Sequence, residues 1–180
     1  HGVYPLAWSL DHVGFFVRSV LDASLVLGAL TGNEMPSLDN PLAEPPRIGL
    51  LRGFFQDYAD DVVWEGFMKS VDELREAGAQ VVETPLPDSF RVVHSAHRLI
   101  MSSEAASVHQ DNFRSRLGDY RRKLRGLVAS GLLVPASAYL RAQRIRGRFI
   151  EEVHRTLKGL DCLITPSAPT PALLGLESTG

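Results

Sequence analysis

At 180 residues, 44% hydrophobic and 22% charged, the chain has the size and balance of one globular domain with a core of its own. Its net charge of −2 gives no overall pull toward a polyanion, and the single cysteine, Cys162, excludes an internal disulfide or a cysteine metal cluster. The most apolar stretch, Val13 to Leu30, is broken by Arg18 and Asp22, so it reads as a buried helix; a bilayer span takes roughly 20 largely uncharged residues. No leader is visible, and a reducing cytoplasm is the expected location.

The first residues, Tyr4-Pro5-Leu6-Ala7-Trp8-Ser9-Leu10-Asp11-His12-Val13-Gly14, form an apolar lead-in without a polar leader. Natural amino termini usually fray, so the expectation is a chain cut from a longer protein. From Val20 to Leu30 apolar residues fall on nearly every face, which predicts a helix buried all round. Ser19 suits its start and Gly32 its end. Residues 33–46 hold Pro36, Pro41, Pro45 and Pro46 and read as a Pro-rich surface loop.

Arg47 to Leu51 suits a buried strand. Asp60 and Asp61 then place negative charge at a helix start, and Val63, Phe67, Val71 and Leu74 make one helical stripe. Ala77-Gly78 stops that helix, and Ala79 to Glu83 resumes as a strand. Strand, helix, strand with short links predicts a βαβ unit with parallel strands. Phe90 to about His109 is helical, followed by a basic stretch from Arg114 to Arg125. Gly131 to Pro135 reads as a break, after which Ser137 is placed as the cap of a long helix. Ala138, Ala142, Ile145, Phe149, Val153 and Leu157 form its stripe, and Gly159 closes it. Leu160 to Ile164 is a further strand ended by Thr165-Pro166, and 167–180 reads as loop or disordered tail. Residues 1–180 are taken as a single partial domain.

Charge is unevenly spread: residues 114–148 hold 10 bases and 1 acid, against 7 and 16 before them. A non-catalytic module binding a polyanion through these bases is the competing reading. Tyr120 and Tyr139 are its only aromatics, too few for a stacking series, and a charge run is more often a solvated helix face.

Several segments, in order, resemble the amidase signature family. Ser9-Leu10-Asp11-His12-Val13-Gly14 is similar to its Ser-Leu-Asp-His/Gln-Val/Ile-Gly-Pro motif, with Phe15 where proline is usual. Arg47 to Leu51, the stretch from Val71 to Pro87 with Ala77-Gly78-Ala79, and Glu104-Ala105-Ala106 with His109 resemble further family segments. So do Gly131, Pro135-Ala136 and Tyr139 to Ala142 with Arg146, and Asp161 to Pro166. The resemblance implies an α/β fold, part of a mixed β-sheet flanked by helices on both faces, and hydrolysis of amide bonds by a serine nucleophile, a second serine and a lysine. A hydroxyl needs a base to become nucleophilic, and a desolvated lysine supplies one.

That machinery is not recognisable here. Lys69, Lys123 and Lys158 are the only lysines, and Ser102-Ser103, the only adjacent serine pair, lies in a predicted helix without flanking glycines. The resemblance therefore implies catalytic residues upstream, no catalytic residue in this chain, no cofactor, and an inactive isolated piece. The implied partners are the remainder of the amidase chain, a small amide substrate and a second copy of the chain; membrane and nucleic acid are not expected. The tRNA-linked subclass usually carries Asn-Leu-Ala-Arg-Tyr-Asp-Gly after Glu-Ala; Val108 to Arg114 lack it, which favours a general amidase acting on small amides.

Five residues are candidates for the substrate pocket or the layer behind it. Asp11 either bonds local backbone amides or supports the site, and His12 is read first as packed or solvent-facing. Tyr139 and Arg146 are pocket candidates on a helix, with core packing the plainer role for the tyrosine. Thr165 ends a strand, where ligands gather in α/β sheets. His94 and His97 lie three apart on one predicted helix face, with His109 farther along, and a metal site there would need a third ligand in reach; Ser9 and Ser19 are read as structural or capping.

Overall fold

Hydrophobic periodicity changes between Arg47 and Thr84 from strand to helix and back, and the backbone follows it. The structure, a computed structural model, describes residues 2–35, 37 and 43–175. Its elements in chain order are α1 (Val20–Thr31), β1 (Arg47–Leu51), α2 (Phe54–Tyr58), α3 (Asp61–Glu76), β2 (Gln80–Thr84), α4 (Phe90–Ser115), a 3-10 turn at Leu117–Asp119, α5 (Arg122–Leu132), α6 (Ala136–Thr156) and β3 (Cys162–Ile164). The expected strand at Ala79 begins one residue later, and that at Leu160 two residues later. Parts of the 33–46 loop (Pro36 and 38–42) and the last five residues of the 167–180 tail lie outside the described residues; the rest of both segments has no helix or strand. No helix among the described residues is long and apolar enough to cross a membrane.

Contacts divide the chain into two compact units. One is His1–Ala43 with Ser95–Gln143, the other Glu44–His94 with Arg144–Gly180. In the second, β1 lies between β2 and β3, parallel to both, with Leu50 opposite Glu83 on one side and Ile164 on the other. The β1–α3–β2 passage is the predicted βαβ unit. Ile48 to Leu51 are buried, as a central strand covered on both faces requires, and Val71 is the fully buried member of the α3 stripe. Asp161 ties the sheet end: its carboxylate accepts from the Arg47 amide at 2.7 Å while its own amide donates to the Arg47 carbonyl. The short α2 follows Gly53, whose φ of 62° turns the chain after β1, and its Phe54 meets Phe90 and His94 in an aromatic cluster.

Glu152 is the buried carboxylate of this unit. Its Oε2 accepts from the Ser89 hydroxyl at 2.6 Å and the Ser89 amide at 2.9 Å, and its Oε1 from Arg148 Nε at 2.7 Å. The Ser89 hydroxyl first, then Arg148, then the Ser89 amide hold the carboxyl group at about 2, below its ordinary 4.5. A depressed folded-state value means that folding favours the ionised form. The contribution is complete above about pH 4.5 and is lost as pH falls toward 2. Thermal melts across that interval are expected to fall more steeply in the parent than in Glu152→Gln, which lacks the titrating group; parallel curves would refute this.

In the first unit, Ser19 Oγ accepts from the Asp22 amide at 3.1 Å and Gly32, with φ 70°, closes α1. These caps match the sequence reading. The expected burial of α1 does not hold: none of its residues is buried, and Val20 and Leu30 are 72% and 67% exposed. An apolar helix reports what it would bury, and the described residues supply no cover. Ser137 is also not a cap. α6 begins at Ala136, and the Pro135 carbonyl accepts from the Ala138 and Tyr139 amides. The α6 stripe itself is as expected, with Ala142 buried and the other five half-buried.

Candidate functional site

Within the first unit a cleft of about 560 Å³ is lined by Trp8, Ser103, Glu104, Gln110, Gly131 and Tyr139, among others. The lead-in contributes Trp8, α4 the polar residues, α5 Gly131 and α6 Tyr139. α5 comes close to α4 because residue 131 has no side chain: a Cβ there would meet Ser102 and Ala106.

Glu104 organises the polar side. Only 9% exposed, it accepts from the Ser9 amide at 2.9 Å through Oε2 and from the Ser9 hydroxyl at 2.7 Å through Oε1. The Tyr139 hydroxyl donates to the same Oε1 at 3.1 Å and accepts from Gln143 Nε2 at 2.8 Å. Charge-assisted bonds of this kind hold the lead-in, α4 and α6 in one register. Glu104 thus fixes the direction of the Tyr139 phenol at the cleft wall.

A neighbouring cavity of about 260 Å³ surrounds His109. The Pro5 carbonyl, 3.1 Å from Nε2, can only accept, so Nε2 carries the proton and Nδ1 accepts from the Tyr120 hydroxyl at 3.0 Å. Burial, followed by the nearby Tyr4, raises the Tyr120 hydroxyl above its ordinary value. This cluster fastens the lead-in to α4; both ring nitrogens are engaged.

Of the five sequence candidates, Tyr139 lines the cleft. Asp11 turns back onto its own segment, accepting from the Leu6 and Ala7 amides at 2.8 and 3.2 Å. His12 Nδ1 meets the Leu10 carbonyl in the same exposed turn. Arg146, half-buried on α6, and Thr165, just past β3, belong to the second unit. The sequence does not mark Glu104 as a hub, because Ser9 and Tyr139 stand 95 and 35 positions away; its one signal is an acid amid small residues on α4.

The only adjacent serine pair has no nucleophile geometry. Ser102 and Ser103 both donate to the Leu99 carbonyl one turn earlier on α4, at 3.2 and 2.8 Å. Lys69, Lys123 and Lys158 are all exposed, so none has the desolvated ammonium on which a lysine base depends. Among the described residues no group of three His, Cys, Asp or Glu side chains is placed to hold a metal ion.

The Amidase family profile matches residues 1–178. An amidase of Pseudomonas putida is 33% identical over 95% of this chain and 39% of its own length. The 1-carboxybiuret hydrolase subunit AtzE of Pseudomonas sp. (strain ADP) is 30% identical over 95% and 39%. A crystal structure of an amidase superposes with a TM-score of 0.85 at 27% identity, covering 96% of this chain and 39% of that one. The chain spans about two-fifths of the length of these relatives. The α/β architecture and the profile match across nearly every residue lead to one conclusion: the chain belongs to the amidase family.

Proposed function

We propose that this chain is the scaffold and part of the substrate wall of a hydrolase that cleaves C–N amide bonds with a serine nucleophile lying outside these residues. The observation that carries the reading is the Amidase match over residues 1–178. The helix-bound hydroxyls of Ser102 and Ser103 and the exposure of all three lysines support placing nucleophile and base elsewhere in a longer protein. The substrate is a small amide. Tyr139, aimed by Glu104, contacts it, Arg146 and Thr165 serve as pocket residues, and Asp11 and His12 shape the lead-in turn. The remainder of the protein covers the apolar surface of α1, and the enzyme works in the cytoplasm without a cofactor.

The basic residues between 114 and 148 do not outweigh this. Tyr120 is buried against His109, and Tyr139 lies in the cleft with its hydroxyl on Glu104, so the two rings form no exposed stacking series beside the basic residues. Ammonia release from aliphatic, aromatic and ureido amides by the full-length protein tests the reading. Saturable turnover of at least one, blocked by a serine-directed sulfonyl fluoride, is expected. Failure across the panel would sink it.

A further inference from the structure

The cleft of the first unit, at about 560 Å³, has the volume of a small-molecule pocket, on the order of 300–1,000 Å³. Its apolar lining is Trp8, Ala106, Leu132, Val134 and Ala136. Trp8 is 71% exposed, although an indole ring is among the side chains that gain most from burial. Leu132, at the end of α5, is also exposed. The cleft therefore presents apolar surface to whatever enters it.

Among the described residues that line it, Glu104 alone carries a charge, and that carboxylate is committed. Three donors, the Ser9 amide, the Ser9 hydroxyl and the Tyr139 hydroxyl, already converge on it. An anion entering the cleft would give up water and meet the negative charge of Glu104; a cation would have to compete with the three donors for it. The other polar groups, among them Ser107 and Gln110, both exposed, are neutral. Charge is thus selected against, and neutral apolar surface is selected for.

We propose that the part of the substrate held in this cleft is an uncharged aromatic ring, and that Trp8 is the residue that sets this preference. The assignment rests on the cleft being a substrate wall and names what that wall selects. A planar ring laid against indole gains from stacking beyond the area it buries, a gain that a saturated ring of similar size lacks. Leu132, Val134 and Ala136 take the remaining apolar contact, and Gln110 and Ser107 supply neutral partners for a polar substituent.

Calorimetric titration of the full-length protein with ketones, which offer no C–N bond to cleave, tests the proposal apart from turnover. Acetophenone is expected to bind saturably, about threefold more tightly than cyclohexyl methyl ketone. It should also bind at least about tenfold more tightly than para-acetylbenzoate or para-acetylbenzylammonium. Trp8→Ala should abolish the preference for the flat ring and Trp8→Phe should keep it. Trp8 is exposed, so both variants are expected to melt with the parent; the comparison of flat and saturated rings in the parent decides the matter without any variant. If the ketone pattern holds while no amide is cleaved, the ring site stands and the hydrolase reading falls; amide cleavage without a ring preference gives the reverse. Equal binding of the two rings, tighter binding of either charged ketone, no saturable binding, or a preference that survives Trp8→Ala would overturn the proposal.

Discussion

Gly131→Ala is expected to destabilise the first unit by about 3 kcal/mol or more, lowering the melting temperature by on the order of 6–12 °C. A Cβ at this position would stand 1.8 Å from the Ser102 carbonyl oxygen, 2.5 Å from its carbon and 2.8 Å from Ala106 Cβ. The obstacle is the backbone of α4, which cannot rotate away as a side-chain end does. Relief requires α4 and α5 to separate, which opens the contact behind Val128 and Ala106, both buried. Gly126 on the same helix is the internal control, since nothing lies within 4 Å of a Cβ there. Gly126→Ala is expected to stabilise by up to about 1 kcal/mol, because alanine is the better helix former. Thermal melts of the two variants should therefore move in opposite directions. A Gly131→Ala protein that melts with the parent would show that the helices do not pack as described.

Glu104→Ala should cost about 3 kcal/mol, because it removes the shared acceptor of the Ser9 amide, the Ser9 hydroxyl and the Tyr139 hydroxyl. Glu104→Gln is the informative companion. Its amide oxygen can serve the Ser9 amide, while the two hydroxyls can rotate to accept from its NH₂ group. A loss of about 1 kcal/mol is expected, with the Tyr139 direction kept. Chemical denaturation of the two variants separates the outcomes: equal losses would mean that the negative charge, rather than the bonding pattern, holds the lead-in to α4 and α6.

The fold's strongest local signals were legible in the residues. Arg47–Leu51, the Val63–Leu74 stripe and the strand before Pro85 carry their period within a few positions, and the caps Ser19 and Gly32 act on their own helix. What depended on distant partners was not legible. Gly131 looked like a helix break but lies within α5, where its role is to let two backbones approach. α2 has five residues, too few to show a period. The hydrophobic pattern of α1 described a need for burial, which only neighbours can meet. At the cleft, Tyr139 could be singled out from its position on a helix, whereas Glu104 gained its role from a serine in the lead-in and a phenol on α6.

The placement of the nucleophile is tested most directly by the turnover of the full-length protein carrying Ser102→Ala and Ser103→Ala together. With both hydroxyls bonded back to Leu99, ammonia release is expected to stay within about tenfold of the parent. Removing a true serine nucleophile costs on the order of 10⁶ in kcat. A collapse of that size, in a protein that still melts like the parent, would contradict the account.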